Sequence, residues 1–351
     1  MKIRLILVIA LFIFLVLSSR SQSKYLSKYF PDKYQTSSFR GLSALSYIIE
    51  VKILDNAVAR GARSGLSVSG SKGINPTFRR INLYSDSLLN NSGINHTRLA
   101  IVGGALLATM ATIHLYQQSG WWKYNRTPFH FKEDLIYGLS VDKIGHFYGA
   151  DIFSYMIRKT LLWANLSEQQ AIWIGAGGAL LFTTFTEVED GFSEWGFDRV
   201  DWLSDLGGAL WAPARYHIPL LRTFDIKMSY HPSDLLGNPG GIGFKGQKHL
   251  IIDDYEGQTF WLSLKIEDVL PHTLKSYWPD FLCIALGYGA RGVATPNQHR
   301  VYFIAPDVDF TRLIPQSTSF LKTLTEVLSF IHPPLPALRI YPTSIWYGIY
   351  F

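Results

Sequence analysis

Residues 142 to 208 constrain this chain more than any other stretch. They open with Asp142-Lys143-Ile144-Gly145-His146-Phe147 and close with Glu187-Val188-Glu189-Asp190-Gly191, followed by Asp198, Asp201 and Asp205. Two strongly apolar lengths separate these polar groups. Acids and a histidine at the ends of apolar helices cost free energy unless they are paired, hydrogen-bonded or bound to a cation. Any fold must therefore carry those ends to water or gather them into one polar site.

The helical reading extends on both sides. Leu99 to Gln117 is apolar, with His114 its one side chain that titrates near neutrality, and its roughly 19 residues suit either a bilayer span or a buried helix of a soluble bundle. Gly104, Ala108 and Ala111 offer a small-residue face for another helix. Trp121-Trp122-Lys123-Tyr124 has the aromatic and basic makeup of a membrane interface. A second helix is expected from Asp142 to Ala164. Ser167 caps a third that runs apolar from Ala171 to Thr186, thinned by Gly175, Gly177 and Gly178. A fourth is expected over Val200 to Trp211, stopping at Pro213. Charged residues are 17% of the chain and aromatics 15%, a balance that suits partial contact with lipid. The net charge of +6 is spread without a basic stripe, which argues against a nucleic-acid partner.

The flanking regions are of other kinds. Residues 1–23 carry Lys2 and Arg4 before an apolar run from Leu5 to Leu17, as in a signal peptide or an uncleaved N-terminal anchor. Residues 24–95 are poorly defined, with a Gly- and Ser-rich stretch from Val58 to Lys72. After a helical region over 96–232 comes a Gly-rich linker over 233–249, then a β-rich region over 250–351. Strands are expected at Thr259–Ile266, Val301–Phe310 and Leu338–Phe351, with a helix over Phe320–Ile331. About five strands are too few to close a barrel. The fold class expected is α+β, a membrane-associated bundle of about four helices followed by a β-rich region. The one cysteine, Cys283, rules out an internal disulfide.

Asp142 and His146 stand one helical turn apart, and Asp201 and Asp205 repeat that spacing. With Glu187 and Asp190 they make a candidate catalytic set of His146, Glu187, Asp142, Asp190 and Asp201. Within it, His146, Glu187 and Asp201 form a candidate metal set, since one imidazole among carboxylates suits a divalent metal as cofactor. The same groups suit acid–base work without a metal. Each also has a plainer role. Asp142 can cap its helix, Glu187 and Asp190 can be a solvated helix end, His146 can satisfy a buried hydrogen bond, and Asp190-Gly191 can form a tight turn. No Walker A loop, G-x-S-x-G elbow, H-E-x-x-H or paired C-x-x-C is present, which disfavours P-loop nucleotide and serine-hydrolase chemistry.

Asp142-Lys143-x-x-His146-Phe147, then Glu187, Asp190-Gly191-Phe192-Ser193-x-Trp195-Gly196-Phe197, Asp201 and Gly207 resemble the DUF2279 family of bacterial envelope proteins, which includes YfiM-type lipoproteins. The longer Bacteroidetes form is most similar, sharing Phe129-His130-Phe131, Tyr255-x-Gly257-Gln258-Thr259-x-Trp261-Leu262-Ser263, Trp278-Pro279 and Gly287-Tyr288-Gly289. The chain departs from the lipoproteins in lacking an anchoring cysteine, and Asp205 stands where the family pattern has Asn. The resemblance implies a membrane-associated place in the bacterial cell envelope, facing the periplasm or in the outer membrane, and carries no activity with it. The leading expectation is an envelope protein with a structural or interaction role and membrane lipid as partner. An envelope protein partner on the edges of the C-terminal strands is a further reading. A different class also stands: a metal-assisted hydrolase or transferase acting on an envelope lipid or lipid-linked substrate.

Overall fold

A computed structural model describes residues 93–351 except 120, 121, 123–125, 136, 238–250 and 294. The leader over 1–23, nearly all of the 24–95 region and most of the 233–249 linker thus lie outside the described residues.

The helices are α1 (His96–Ser119), α2 (Val141–Trp163), α3 (Glu168–Gly191), α4 (Arg199–Ala209) and α5 (Trp211–His217). Their starts follow from local chemistry. The Ser167 hydroxyl accepts the Gln170 amide, and the Gln170 side chain accepts from the Ser167 amide, a capping box that opens α3. The Asp198 carboxylate accepts the amides of Val200 and Asp201 and opens α4. Pro213 does not stop a helix as the sequence suggests. The break falls before it, at Leu210, and Pro213 sits in the first turn of α5, where its missing N–H costs nothing.

Helix α2 is the spine, and both neighbours approach it closely. A Cβ on Gly175 of α3 would stand 2.8 Å from the Ser154 carbonyl oxygen, and one on Gly208 of α4 would collide with the Phe147 carbonyl. Ala150, Ala179 and Ala209 fill the seam where the three helices meet. α1 joins this group mainly at its start. Asn95 N donates to Ala164 O, Arg98 donates to Trp163 O, and Val102 packs with Ile157 and Leu161. Nothing described stands within 4 Å of a Cβ built on Gly103 or Gly104, so the expected small-residue face of α1 has no helix against it among the described residues. Among the described residues, two helices are long and apolar enough to cross a membrane, His96–Leu115 and Glu168–Gly191. Their most apolar windows are buried within the fold to 6% and 39% respectively.

The C-terminal part is a six-stranded antiparallel meander in the order β1 (Phe224–Tyr230), β2 (Gln258–Lys265), β3 (Leu282–Arg291), β4 (His299–Val308), β5 (Leu335–Tyr341) and β6 (Ile345–Tyr350). With α6 (Ser319–Leu328) before β5, the described chain is α+β. The sheet has one strand more than expected, because β1 lies within 96–232 and pairs with β2 from Phe224↔Leu264 to Tyr230↔Gln258.

One face holds the sheet's core. Trp261, Ala285, Val301, Phe303, Ala305, Ala337 and Tyr350 are buried there, and the Phe303 and Tyr350 rings stand 4.5 Å apart. Burying each such large side chain contributes about 1.5–3 kcal/mol. The same interior holds Lys227 and Asp307, 2.7 Å apart and both fully buried. His332 donates to or accepts from Asp307 at 3.1 Å and stacks on Trp261 at 3.9 Å. Helix α2 covers part of the opposite face. The Tyr148 ring meets Phe260 at 5.5 Å, and its hydroxyl donates to Phe330 O at 2.7 Å.

Candidate functional site

The first turns of α2, the last turns of α3 and the first two turns of α4 converge. Asp142, Lys143 and His146 come from α2, Glu187 and Asp190 from α3, and Asp201 and Asp205 from α4. The loop before α2 adds Asp134, and the N-cap of α4 adds Asp198. The close approaches at Gly175 and Gly208 set the helix spacing that brings these side chains together.

His146 lies at the centre. Its Nδ1 is 3.2 Å from Asp205 Oδ1 and 3.7 Å from Glu187 Oε1, and its Nε2 is 3.8 Å from Asp201 Oδ2. Of its side chain 28% remains exposed, against 3% or less for Glu187 and Asp205. The imidazole edge is therefore the accessible part of a buried cluster. The hydrogen bond to Asp205 is made by Nδ1–H, which leaves Nε2 on the side of Asp201. Ligand atoms of Asp142, His146 and Asp201 lie within 4.8 Å of one another, and so do those of His146, Glu187 and Asp205.

Lys143 is the counter-charge. It is buried and donates to Asp198 Oδ2 at 2.8 Å, to Asp201 Oδ2 at 2.9 Å, to Asp142 Oδ2 at 3.3 Å, and also to Asp134. Asp142 and Asp201 each spend Oδ2 on this lysine. The Oδ1 atom of each is buried with no hydrogen-bond partner. Orphaned carboxylate oxygens in a dry interior are costly, and with Asp205 Oδ2 three of them belong to the carboxylates grouped with His146.

The charge balance is lopsided. Among the described residues, Asp134, Asp142, Glu187, Asp190, Asp198, Asp201 and Asp205 gather around two cationic side chains, Lys143 and His146. Burial and the charge of Asp201 lift the Asp142 carboxyl to about 7, against the pull of Lys143. Burial likewise raises Asp201 and Asp205. For His146, burial works downward, but the hydrogen bond to Asp205 and the charges of Asp201, Asp205 and Glu187 win and raise it to about 10. Asp198 goes the other way. Burial would raise it, yet Lys143 and the amides of Asp134 and Val200 hold it at about 2. A site built this way gathers positive charge, either as protons or as a cation.

Of the residues singled out in the sequence, His146, Glu187, Asp142 and Asp201 share this cluster. Asp190 sits at its edge and has structural work. Its Oδ1 accepts the Trp122 indole N–H at 2.6 Å, and its carbonyl accepts the Ser193 and Gly196 amides in the turn that follows. Trp122 itself is 2% exposed, so it is not an interfacial aromatic as its neighbours suggested. Asp134, Lys143 and Asp198 were not assigned roles from sequence. Lys143 had a signal, since a lysine one residue from an acid at an apolar helix start needs partners if buried. Asp134 and Asp198 had none beyond their charge.

No protein-family model, curated protein or solved structure matches this chain.

Proposed function

We propose that this is a membrane-associated protein whose bundle binds a divalent cation through Asp142, His146 and Asp201 and uses it in a hydrolase or transferase reaction on a lipid or lipid-linked substrate. The observation that carries the reading is that Asp142 and Asp201, each with a buried and unpartnered Oδ1, bring ligand atoms within 4.8 Å of one another and of His146. Asp205, hydrogen-bonded to His146 Nδ1, would fix the ring in the tautomer a metal requires, as carboxylates commonly do behind a ligating histidine. One imidazole with carboxylates suits Mn²⁺, Mg²⁺ or Zn²⁺. Such a cation, when bound, lowers the pKa of a coordinated water and polarises a phosphoryl or acyl oxygen.

The chain's own groups have distinct parts in this reading. Glu187 Oε2 accepts the Asp198 amide at 3.3 Å, while Oε1 faces His146; burial and the neighbouring acids lift its carboxyl to about 9, so it holds a proton that it could give to a leaving group. Lys143 holds Asp198 ionised and fixes the positions of Asp142 and Asp201. Membrane association rests on α1, whose apolar surface is almost wholly unburied, and agrees with the resemblance to the DUF2279 envelope proteins. A purely structural role for the acid–histidine cluster is the competing reading, favoured by the engagement of Asp190 Oδ1 with Trp122 and of both Asp198 oxygens.

Metal analysis of the purified full chain separates the two. Wild-type protein should retain close to one equivalent of divalent metal after exchange into metal-free buffer, and His146→Ala and Asp201→Asn should retain little. Equal metal content in all three would remove the metal reading.

A further inference from the structure

The outward face of the sheet, on the side where α2 packs, has an ordered composition that neither α2 nor the cation site uses. Strand register places Leu262 beside Leu286, Leu286 beside Ile304, Ile304 beside Leu338 and Leu338 beside Trp346. This is one apolar row across five strands, and its members are between 37% and 67% exposed. A soluble antiparallel sheet puts polar side chains on such a face. Two residues along the strands, Tyr288 pairs with Tyr302 and Tyr302 with Tyr341. Two residues further, Arg300 pairs with Ala290. The order along the face is aliphatic, then tyrosine, then arginine.

At the arginine end is an open pocket of about 510 Å³ lined by Leu139, Gln298, His299, Arg300, Tyr302 and Tyr341. Its lining holds basic and hydroxyl groups and no carboxylate. Arg300 Nε donates to the Tyr288 hydroxyl at 3.1 Å, and that hydroxyl donates to Leu139 O, so the guanidinium is held at the mouth.

We infer that the part of the outward face of β2 to β6 that no described residue covers rests on a phospholipid leaflet, with the Leu262–Trp346 row against acyl chains and a lipid phosphate seated by Arg300. Two features favour lipid over a soluble protein partner. The exposed apolar row is rimmed by tyrosines and then by Arg300, the amphipathic and basic groups that sit at headgroup level beside a face lying flat on a leaflet. The bare part of the face also continues the area covered by α2, where Tyr148 meets Phe260 and Leu139 meets Tyr288. It thus lies on the same side of the sheet as the apolar helices. Large exposed apolar patches with polar rims mark such contacts.

This inference rests on the membrane association proposed above and not on the cation site.

The test is nitroxide labelling of the full chain reconstituted in vesicles of phosphatidylcholine with phosphatidylglycerol. Labels go on Leu286→Cys, Leu338→Cys, Tyr341→Cys and Arg300→Cys, one at a time. Cys283 is buried, and wild-type protein gives its labelling background. The ratio of collision with oxygen to collision with a water-soluble nickel chelate should be about tenfold or more higher at 286 and 338 than at 300, because a polar complex enters hydrocarbon poorly, with 341 between. Equal, high nickel collision at all four positions would overturn the inference and show a face in water. Low collision with both reagents, with dipolar broadening between labels, would overturn it in favour of a second copy of the chain. Neither outcome alters the metal content of Asp201→Asn, so failure here is distinguishable from failure of the cation site.

Discussion

Replacing Asp201 with Asn should make the protein more stable without cations and much less responsive to them. Asp201 Oδ2 already accepts from Lys143 at 2.9 Å while Oδ1 has no partner. An amide keeps an oxygen for Lys143 and removes one negative charge from a cluster where burial raises the Asp201 carboxyl. The cation-free variant should therefore melt above cation-free wild type. For wild type, a cation at 100 times its Kd adds about 2.7 kcal/mol. At about 2–4 °C per kcal/mol for a chain of this size class, that is a rise of about 5–10 °C. If losing one ligand weakens affinity about 100-fold, the same cation concentration equals the variant's Kd and adds only about 0.4 kcal/mol, near 1 °C. The assay is thermal unfolding in detergent with chelator, then with Mg²⁺, Mn²⁺ or Zn²⁺. A variant that melts below wild type in chelator, with no cation response in either protein, would refute the reasoning and leave the cluster a structural ion network.

Other consequences are as direct. Cation-free protein should lose stability as pH rises. Asp142 titrates near 7 when folded and near 3.8 when unfolded, so between those values the folded state holds the extra proton and stability falls with pH. His146, raised to about 10 from 6.5, contributes stability that is full below 6.5 and lost on rising through 10, the same direction. Chemical denaturation between pH 5 and 9 in chelator checks this, and a saturating cation should flatten the slope. Lys143→Met strands Asp134, Asp142, Asp198 and Asp201 and should cost about 3–5 kcal/mol in chelator, partly restored by a divalent cation. Gly208→Ala forces α4 off the Phe147 carbonyl and should lower both melting temperature and metal content, read by calorimetry and metal analysis. Trp122→Phe leaves Asp190 Oδ1 without its indole donor and should cost about 1–3 kcal/mol in denaturant unfolding, with metal content unchanged.

How much was legible in advance depended on whether a signal was local. The helices α2 and α3 were readable because caps and apolar length are local properties. The meeting of His146 with Glu187 and Asp201 was readable only as a question, since helix ends at i and i+4 define faces but not which faces turn inward. Gly175 and Gly208 answer it, and a glycine in a sequence does not say whose backbone it admits. β1 was missed because Phe224–Tyr230 alternates apolar with Asp, Lys and Ser, and those polar residues point into the sheet rather than to solvent. The row from Leu262 to Trp346 was invisible for a related reason. Its members come from five strands and become neighbours only through register. Trp122 misled because an aromatic beside a lysine looks the same whether it meets lipid or Asp190.

The charged pair inside the sheet governs how the sheet can assemble. Lys227 and Asp307 are 80 residues apart in the chain, on β1 and β4, and His332 reaches them from the segment before β5, bridged to β1 at Met228↔Ile331. Any intermediate with β1 to β3 paired but β4 absent holds an ammonium in an apolar interior with no carboxylate. One lacking the segment before β5 leaves Asp307 without the imidazole and Trp261 without its stacked ring. Such partial sheets are penalised by the cost of a bared charge, so folding should be all-or-none and slow, as expected of pairings this distant in sequence. Removing β5 and β6 with the segment before them should then unfold the remaining strands instead of trimming an edge.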